Sequence, residues 1–332
     1  MNHTTRVHGG PDAQGAPLFD FSTNSNACGP CPQALAAVQA ADASRYPDAS
    51  YTALRAALAA FYLVAPWRIV LAGSASEFIF RITAWARQQG ARTVGLPTHA
   101  YGDYAHAAHA WGLAVAADGV QADLVWACEP SSPLGQAHSP TFTAVPGLEV
   151  LDRAYAPLRL SGQSTWGDPQ LQQLWQLFSP NKALGLTGVR AAFVIAPLGA
   201  EEAVQQLEAL APSWLLGAHG VALLMAWTQP ETQAWLQKSL HTLSQWKQNQ
   251  ISLLRGAGWT VQDSDTPFFC ARPPKGVDGV ALCAMLRLRG IKLRDATSFG
   301  LPGWVRLGVL PPAAQSALAE AVAVPFSMDA SP

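Results

Sequence analysis

One lysine in this 332-residue chain is set apart from the other four. Lys182 lies in the stretch 178–190, FSPNKALGLTGVR, between an apolar run that ends at Phe178 and a second one over residues 191–196. It alone is embedded among apolar, small and glycine residues, whereas Lys238, Lys247, Lys275 and Lys292 read as surface charges. Where water is scarce a lysine loses proton affinity, because desolvation disfavours the ammonium form. The neutral amine is then a nucleophile suited to condensing with an aldehyde. Arg190 follows eight residues on, after Gly185 and Gly188, where a forked guanidinium could grip a phosphate. The bland alternative is a strand–turn–strand whose lysine is merely solvated.

The elements that would position these groups can be read in outline. A polar opening of turns leads to a helical pattern from Pro32 to Ala41, a break at Tyr46-Pro47-Asp48 and an amphipathic helix from Tyr51 to Leu63. From Arg68 short apolar runs alternate with helices: strands at 68–72, 93–96, 113–117, 124–128 and 148–151, helices at 77–89 and 101–111. That alternation predicts an α/β fold with a mainly parallel sheet covered on both faces. A helical region from Glu201, a long helix from Pro230 to about Arg255 and strands near Val261, Phe268 and Trp304 predict a smaller α+β unit. The expected division is an N-terminal segment, 1–45, that joins the small unit, a large part over 46–228, and a small part over 229–332.

Ligands in such sheets bind beyond the carboxyl ends of the strands, so the residues that follow each strand are the candidates. After the first comes Gly73-Ser74-Ala75-Ser76 at a helix N-terminus, a set of backbone N–H groups suited to phosphate. After the fourth comes a Pro-bracketed turn, 129–135, containing Ser132. After the fifth come Asp152 and Tyr155. Asp152 either caps or pairs structurally or faces a ring nitrogen. Arg294 and Arg306 are the notable cations of the C-terminal part, each either salt-bridged or awaiting a carboxylate.

Composition sets the bounds. Charged residues are only 13% of the chain, below the usual quarter, and 12 tryptophans leave surface to hide, which favours an oligomer. A net charge of −1 argues against nucleic acid or an anionic membrane as the partner. No apolar run approaches the roughly 18 residues of a membrane span, and residues 1–10 hold no apolar signal core, so the expected location is the cytoplasm. Five cysteines are no disulfide framework and offer no spacing for a metal. Cys28-Gly29-Pro30-Cys31 spells a thioredoxin-type redox centre, yet it follows a polar turn rather than a strand, and coincidence is the better reading. A regulatory module with a DNA-binding segment would need a basic stretch that is not there.

A lysine for the aldehyde, an acid for a ring nitrogen, a tyrosine beside it and a phosphate cradle together specify pyridoxal 5′-phosphate. The order of motifs (Gly73-Ser-Ala-Ser-Glu77, the Pro-bracketed turn, Asp152-x-Ala-Tyr155, and Ser179-x-x-Lys182-x-x-Gly185-x-x-Gly188-x-Arg190) resembles the fold-type I aminotransferases of classes I and II over nearly the whole chain. Within them His8-Gly9-Gly10, Asp20-Phe21-Ser22-x-Asn24-x-Asn26, Gly29-Pro30 and Arg45-Tyr46-Pro47-Asp48 with Leu54-Arg55 look like the threonine-phosphate decarboxylases of cobalamin synthesis.

The resemblance implies roles. Lys182 would hold the cofactor; Ala75, Ser76, Ser179 and Arg190 would bind its phosphate; Tyr101 would stack on the ring, with His99 as second choice; Asp152 and Tyr155 would meet the ring nitrogen and the 3-hydroxyl. Tyr46 would reach the cofactor phosphate of a neighbouring subunit, which implies a homodimer. Arg306 would take the substrate carboxylate, and His8 and Asn26 would line the substrate end; apart from the resemblance, their donor-rich loop makes them candidates for gripping the phosphate of an amino acid substrate, with Arg294 as a cation beside them. Three positions depart from the family: Ser132 for the Asn beside the 3-hydroxyl, Asn181 for a Ser or Thr, and Ala27 for a proline. The implied activity is decarboxylation of O-phospho-L-threonine to (R)-1-aminopropan-2-yl phosphate; the alternative is an aminotransferase acting on histidinol phosphate or an aromatic amino acid.

Overall fold

The computed structural model describes residues 8–117, 120–138 and 148–323. Most of the first ten residues, read as lacking a signal core, lie outside them. β1 (Phe19–Asp20), α1 (Pro32–Gln39) and α2 (Thr52–Tyr62) lead into β2 (Ile69–Ala72) and α3 (Ala75–Gln88). Then come β3 (Thr93–Gly95), α4 (Gly102–Ala110), β4 (Ala114–Val115), β5 (Leu124–Cys128), β6 (Glu149–Asp152), α5 (Asp168–Leu171), β7 (Trp175–Phe178) and β8 (Ala192–Ile195). These strands, β1 apart, form one seven-stranded sheet in the order β2-β8-β7-β6-β5-β3-β4. Every pairing is parallel except the two made by β8, which runs against β2 and β7. The expected strand–turn–strand around Lys182 is therefore real, and its turn carries the lysine at the sheet's carboxyl edge.

The strands are apolar on both faces because both faces are covered. On β2, Ile69 and Leu71 enter one hydrophobic cluster, with Leu223 of α7 (Ala218–Trp227), while Val70 and Ala72 enter the other, with α3, α4 and α6 (Glu201–Ala209). Edge strand β4 is shorter than the alternation suggested, both its residues are exposed, and no described strand extends the ladder beyond it.

The chain then runs through α8 (Pro230–Gly256), β9 (Thr260–Val261), β10 (Phe268–Arg272), α9 (Gly279–Leu288), β11 (Ile291–Lys292), β12 (Arg294–Asp295), β13 (Val305–Gly308) and α10 (Pro312–Ala323). β12-β13-β10-β9 form an antiparallel sheet in which Arg294 and Arg306 stand opposite each other. β1 pairs in parallel with β11, which ties the N-terminal segment to this C-terminal part. No described helix is long and apolar enough to cross a membrane.

One lysine is not where the sequence put it. Lys247 of α8 is 9% exposed, not a surface charge, and its ammonium donates to the Ser264 carbonyl. The helix periodicity was right; what covers this face is the 263–266 loop, which no local signal announces. Burial pushes the Lys247 pKa down to about 8, against which Asp265 and Asp263 pull only partly. A depressed lysine costs stability at any pH below its folded value, and that cost is relieved between about 8 and the unfolded value of 10.5, where the unfolded chain binds more protons. Chemical denaturation should therefore show stability rising over that window by as much as about 3 kcal/mol. Lys247→Met should flatten the rise; an unchanged pH profile in that variant would refute the assignment.

Candidate active site

A cavity of about 930 Å³ opens at the carboxyl edge of the large sheet, between it and the β12–β13 arginines. Lys182, Tyr155, Ser132, Tyr101, His8, Arg294 and Arg306 all line it, with Asn24, His106, His109, Thr187 and Phe299. Seven of the residues singled out in the sequence are thus brought to one place. A second cavity, of about 820 Å³, lies around Trp67 and Trp214. Both its arginines are committed, with Arg55 paired to Glu208 at 2.6 Å and Arg81 to Glu77 at 3.0 Å.

Asp152 is the last residue of β6, in register with Cys128 of β5. Its carboxylate is 5% exposed, accepts from the Tyr104 hydroxyl at 2.7 Å and from the Ala154 N–H at 2.9 Å. Burial raises its pKa, while the Tyr104 hydrogen bond and the charge of Lys182 pull it back. Tyr104 was not anticipated. It sits one helical turn after Tyr101 and stacks on Trp126 at 4.4 Å with rings 11° apart, so α4 braces the acid from outside the sheet. The i, i+3 spacing of the two tyrosines was the available signal.

Lys182 is half-buried, its Nζ 5.4 Å from the centre of the Tyr155 ring. Its turn is clasped to the N-terminal loop by backbone hydrogen bonds: Asn26 N–H to the Lys182 carbonyl at 2.9 Å and Cys31 N–H to the Leu184 carbonyl at 2.8 Å. Gly185 has φ +67°, and a Cβ there would stand 3.0 Å from the Gly29 Cα. Only glycine satisfies both the left-handed turn and the close approach. That clasp gives the Cys-Gly-Pro-Cys run a structural part in holding the lysine turn. All five cysteines are free thiols, Cys31 is fully buried, and burial pushes Cys28 up to about 11.

Asn26 does not belong to the cavity, contrary to expectation. It is 2% exposed, and its amide is consumed by the Ala183 carbonyl at 3.0 Å, the Ser239 hydroxyl at 2.7 Å and the Cys28 N–H at 3.0 Å. Asn24 takes the place assigned to it: it lines the cavity, its Nδ2 donates to the Tyr155 hydroxyl at 3.4 Å, and its buried Oδ1 has no partner. In a loop without periodicity, which of two asparagines faces inward is not readable from spacing.

The phosphate candidates divide. Ser76 lies in the first turn of α3, whose N-cap Ser74 accepts from the Glu77 N–H, and its hydroxyl meets the Tyr101 hydroxyl at 3.2 Å. Ala75 opens the same turn. Ser179 is buried and donates to Asn181 at 2.9 Å, and Asn181 donates on to the Val189 and Thr187 carbonyls at 3.3 and 3.4 Å. Asn181 therefore braces the lysine turn, and a phosphate would have to displace the Ser179 bond. Arg190 is exposed and outside the cavity lining. Tyr46 is 76% exposed and stacks on Trp214 at 4.4 Å, away from its own chain's cavity. His99 is outside the cavity lining, and its Nδ1 meets the Phe299 carbonyl at 2.7 Å.

At the far wall Arg294 and Arg306 are both buried, their guanidiniums 4.7 and 5.4 Å from the centre of the Phe299 ring. Arg306 donates to the Ser22 carbonyl at 2.8 Å, and its Nε is buried without a partner. Arg294 donates to Ser298 at 2.7 Å, and burial brings it down to about 10. Arg306, buried opposite another guanidinium with its Nε unpartnered, is placed to receive an anion. An unpartnered acceptor on Asn24, unpartnered Arg306 Nε, a buried carboxylate and an inward lysine are the complement of an anionic, aldehyde-bearing heteroaromatic group and its substrate, so the residues fit pyridoxal phosphate. Among the described residues no group of three or more His, Cys, Asp or Glu is placed to hold a metal.

The family profile described as aminotransferase class I and II matches residues 115–323. Histidinol-phosphate aminotransferase 2 of Caulobacter vibrioides is 27% identical over 344 aligned residues, covering 93% of this chain and 86% of that protein. The structure of histidinol-phosphate aminotransferase from Sinorhizobium meliloti in complex with pyridoxal-5′-phosphate is similar at a TM-score of 0.76 and 19% identity, covering 96% of each chain. That of L-threonine-O-3-phosphate decarboxylase from Porphyromonas gingivalis is similar at 0.68 and 20%, covering 87% of this chain and 91% of that one. These two likenesses speak for the fold.

The two asparagines should separate cleanly on mutation. Asn26→Ala should lower stability by about 1–3 kcal/mol, because it leaves buried groups unpaired, and Asn24→Ala should weaken ligand binding while leaving the unfolding midpoint nearly unchanged. Denaturant titration of both variants beside a substrate titration checks this, and the reverse pattern would restore Asn26 to the site.

Proposed function

The chain belongs to the aminotransferase class I and II family, is a pyridoxal 5′-phosphate enzyme of fold type I, and on that premise we propose that it decarboxylates O-phospho-L-threonine to (R)-1-aminopropan-2-yl phosphate, a step of cobalamin biosynthesis. The observation that carries the reading is the pair of buried arginines, opposite each other on β12 and β13, with His8 in the same cavity. Two anionic ends, a carboxylate and a phosphate, match that wall. The likeness in fold to the Porphyromonas decarboxylase supports it, as does the His8-Gly9-Gly10 opening.

Bound, the cofactor supplies an electron sink for the pair released when a bond at the substrate's α-carbon breaks. Everything else falls to the chain. Lys182 holds the cofactor and carries protons at the reacting carbon, and Tyr155 stands beside it. Asp152 would face the ring nitrogen, its two oxygens held by the Tyr104 hydroxyl and the Ala154 N–H. Ser76 and the α3 N-terminus would hold the cofactor phosphate, and Tyr101 would hold the ring. Arg306 takes the substrate carboxylate, and Arg294 with His8 takes the substrate phosphate. How those two ends are gripped decides whether carbon dioxide or a proton leaves, since binding energy is spent on orientation.

The same reading takes the protein as a cytoplasmic homodimer with parts 1–45, 46–228 and 229–332. The exposed Tyr46–Trp214 stack supports the dimer, Tyr46 reaching the neighbouring subunit's cofactor phosphate. A second reading, amino transfer from histidinol phosphate or an aromatic amino acid, is favoured by the Caulobacter relative.

Borohydride reduction of the holoenzyme should abolish its visible band and fix the cofactor on Lys182 by peptide mapping; an adduct on another lysine would overturn the assignment. Supplied with O-phospho-L-threonine and no acceptor, the enzyme should release carbon dioxide. Strict dependence on a 2-oxo acid, with histidinol phosphate as the better donor, would make it an aminotransferase instead. Asp152→Ala should fold and lose at least about 100-fold in turnover, the scale of one strong transition-state interaction; normal turnover would make Asp152 structural.

A further inference from the structure

His8 and Gly9 reach the cavity at the end of a segment that has almost nothing apolar to hold it: residues 11–16 are all exposed. What holds the segment is charge. The Asp12 carboxylate meets Arg287 Nη2 at 2.8 Å and Nε at 3.0 Å, and Lys292 Nζ at 2.8 Å. Arg287 also donates to the Gly15 carbonyl at 2.8 Å, and Lys292 to the Gly10 carbonyl at 2.6 Å. Gly15 N–H closes the loop on the Asp12 carbonyl at 2.8 Å. Arg287 lies in the last turn of α9 and Lys292 on β11, so both cations belong to the part of the chain that also carries Arg294.

From Lys292 the path to the cavity is short. Gly10, at φ +94°, donates its N–H to the Ser22 hydroxyl at 2.9 Å. Gly9 lies so close that a Cβ on it would stand 2.2 Å from the Ser22 carbonyl oxygen. That same carbonyl accepts from Arg306. Ser22 thus joins the charged strap, the His8-Gly9-Gly10 turn and the carboxylate-binding arginine in one set of contacts, and its own hydroxyl is steered by Asp20 at 2.5 Å.

We propose that Asp12 is a positioning residue: through Arg287 and Lys292 it seats the turn 8–10 on Ser22, so that His8 is presented to the anionic end of the substrate. This rests on the reading of the cavity as a site for a phosphorylated amino acid. Because one carboxylate shared by two cations is a network rather than a lone surface pair, it holds the strap where single exposed pairs contribute little. Because the Asp12 end of the strap is solvent-exposed, salt screens it, and substrate affinity falls as ionic strength rises.

The test uses holoenzyme, comparing wild type with Asp12→Asn, Asp12→Glu and Lys292→Met. KM and kcat for O-phospho-L-threonine are followed from low to high sodium chloride, beside hydrogen exchange of the peptide spanning residues 8–18 with and without inorganic phosphate. Asp12→Asn should raise KM about tenfold at low salt, the scale of losing one charge-assisted hydrogen bond, leave kcat within about twofold and the cofactor band intact, and flatten the salt dependence. Lys292→Met should do the same, and Asp12→Glu should recover most of the affinity. Phosphate should slow exchange over residues 8–18 in wild type and not in Asp12→Asn. A variant with wild-type KM at every salt concentration, or one that loses kcat and cofactor in step with KM, overturns the proposal. If no carbon dioxide is released by any form, the decarboxylase reading has failed, and exchange still decides: phosphate protection that depends on Asp12 supports the strap, and its absence in wild type sinks it.

Discussion

A carboxylate in a dry interior is the constraint on which this site depends. An unpaired charge at the burial of Asp152 would cost several kcal/mol and would sooner take a proton than stay. Here three groups oppose that: the Tyr104 hydroxyl, the Ala154 N–H and the charge of Lys182. None acts alone. The hydroxyl is aimed because Tyr104 is stacked on Trp126 of the neighbouring strand, the N–H because the chain turns directly after β6, and the ammonium because the β7–β8 turn ends beside it. Sheet register, helix docking and turn geometry converge on one side chain, and a slip of one residue in β6 would send the acid to the opposite face.

The lysine turn answers to a second constraint. It is fastened to the N-terminal loop through Gly29 against Gly185 and the backbone bonds of Asn26 and Cys31. That loop is in turn fastened to the C-terminal part through β1 and β11. The segment that delivers Asn24, Ser22 and His8 therefore touches both walls of the cavity, which is why polar residues so dense are not a surface turn.

How far the sequence could carry this depended on whether a signal was local. The alternation of apolar runs and helices located β2, β5 and β6 within a residue or so, and Lys182 and Asp152 stood out because each interrupts an apolar context with a charge. The arrangement of the sheet, with β8 reversed, was not legible, since an apolar strand looks the same in either direction. Three features needed neighbours distant in the chain: the covering of Lys247 by the 263–266 loop, the capture of Asn26 by Ser239 of α8, and the pairing of Tyr104 with an acid 48 residues on. Asn24 stood in the same motif but was indistinguishable from Asn26 until the fold chose between them.

The facing arginines of β12 and β13 have a consequence for what the pocket can measure. Both are rooted in one antiparallel ladder, and both guanidiniums lie against the Phe299 ring. Side chains opposite each other in such a ladder are held about 5 Å apart at their bases by the backbone hydrogen bonds, so the gap between two negative groups is gauged by the sheet itself and does not float with a loop. A wall of this kind works as a calliper: it sorts ligands by the distance between their charges, and lengthening or shortening the ligand by one carbon changes the fit as surely as removing a charge.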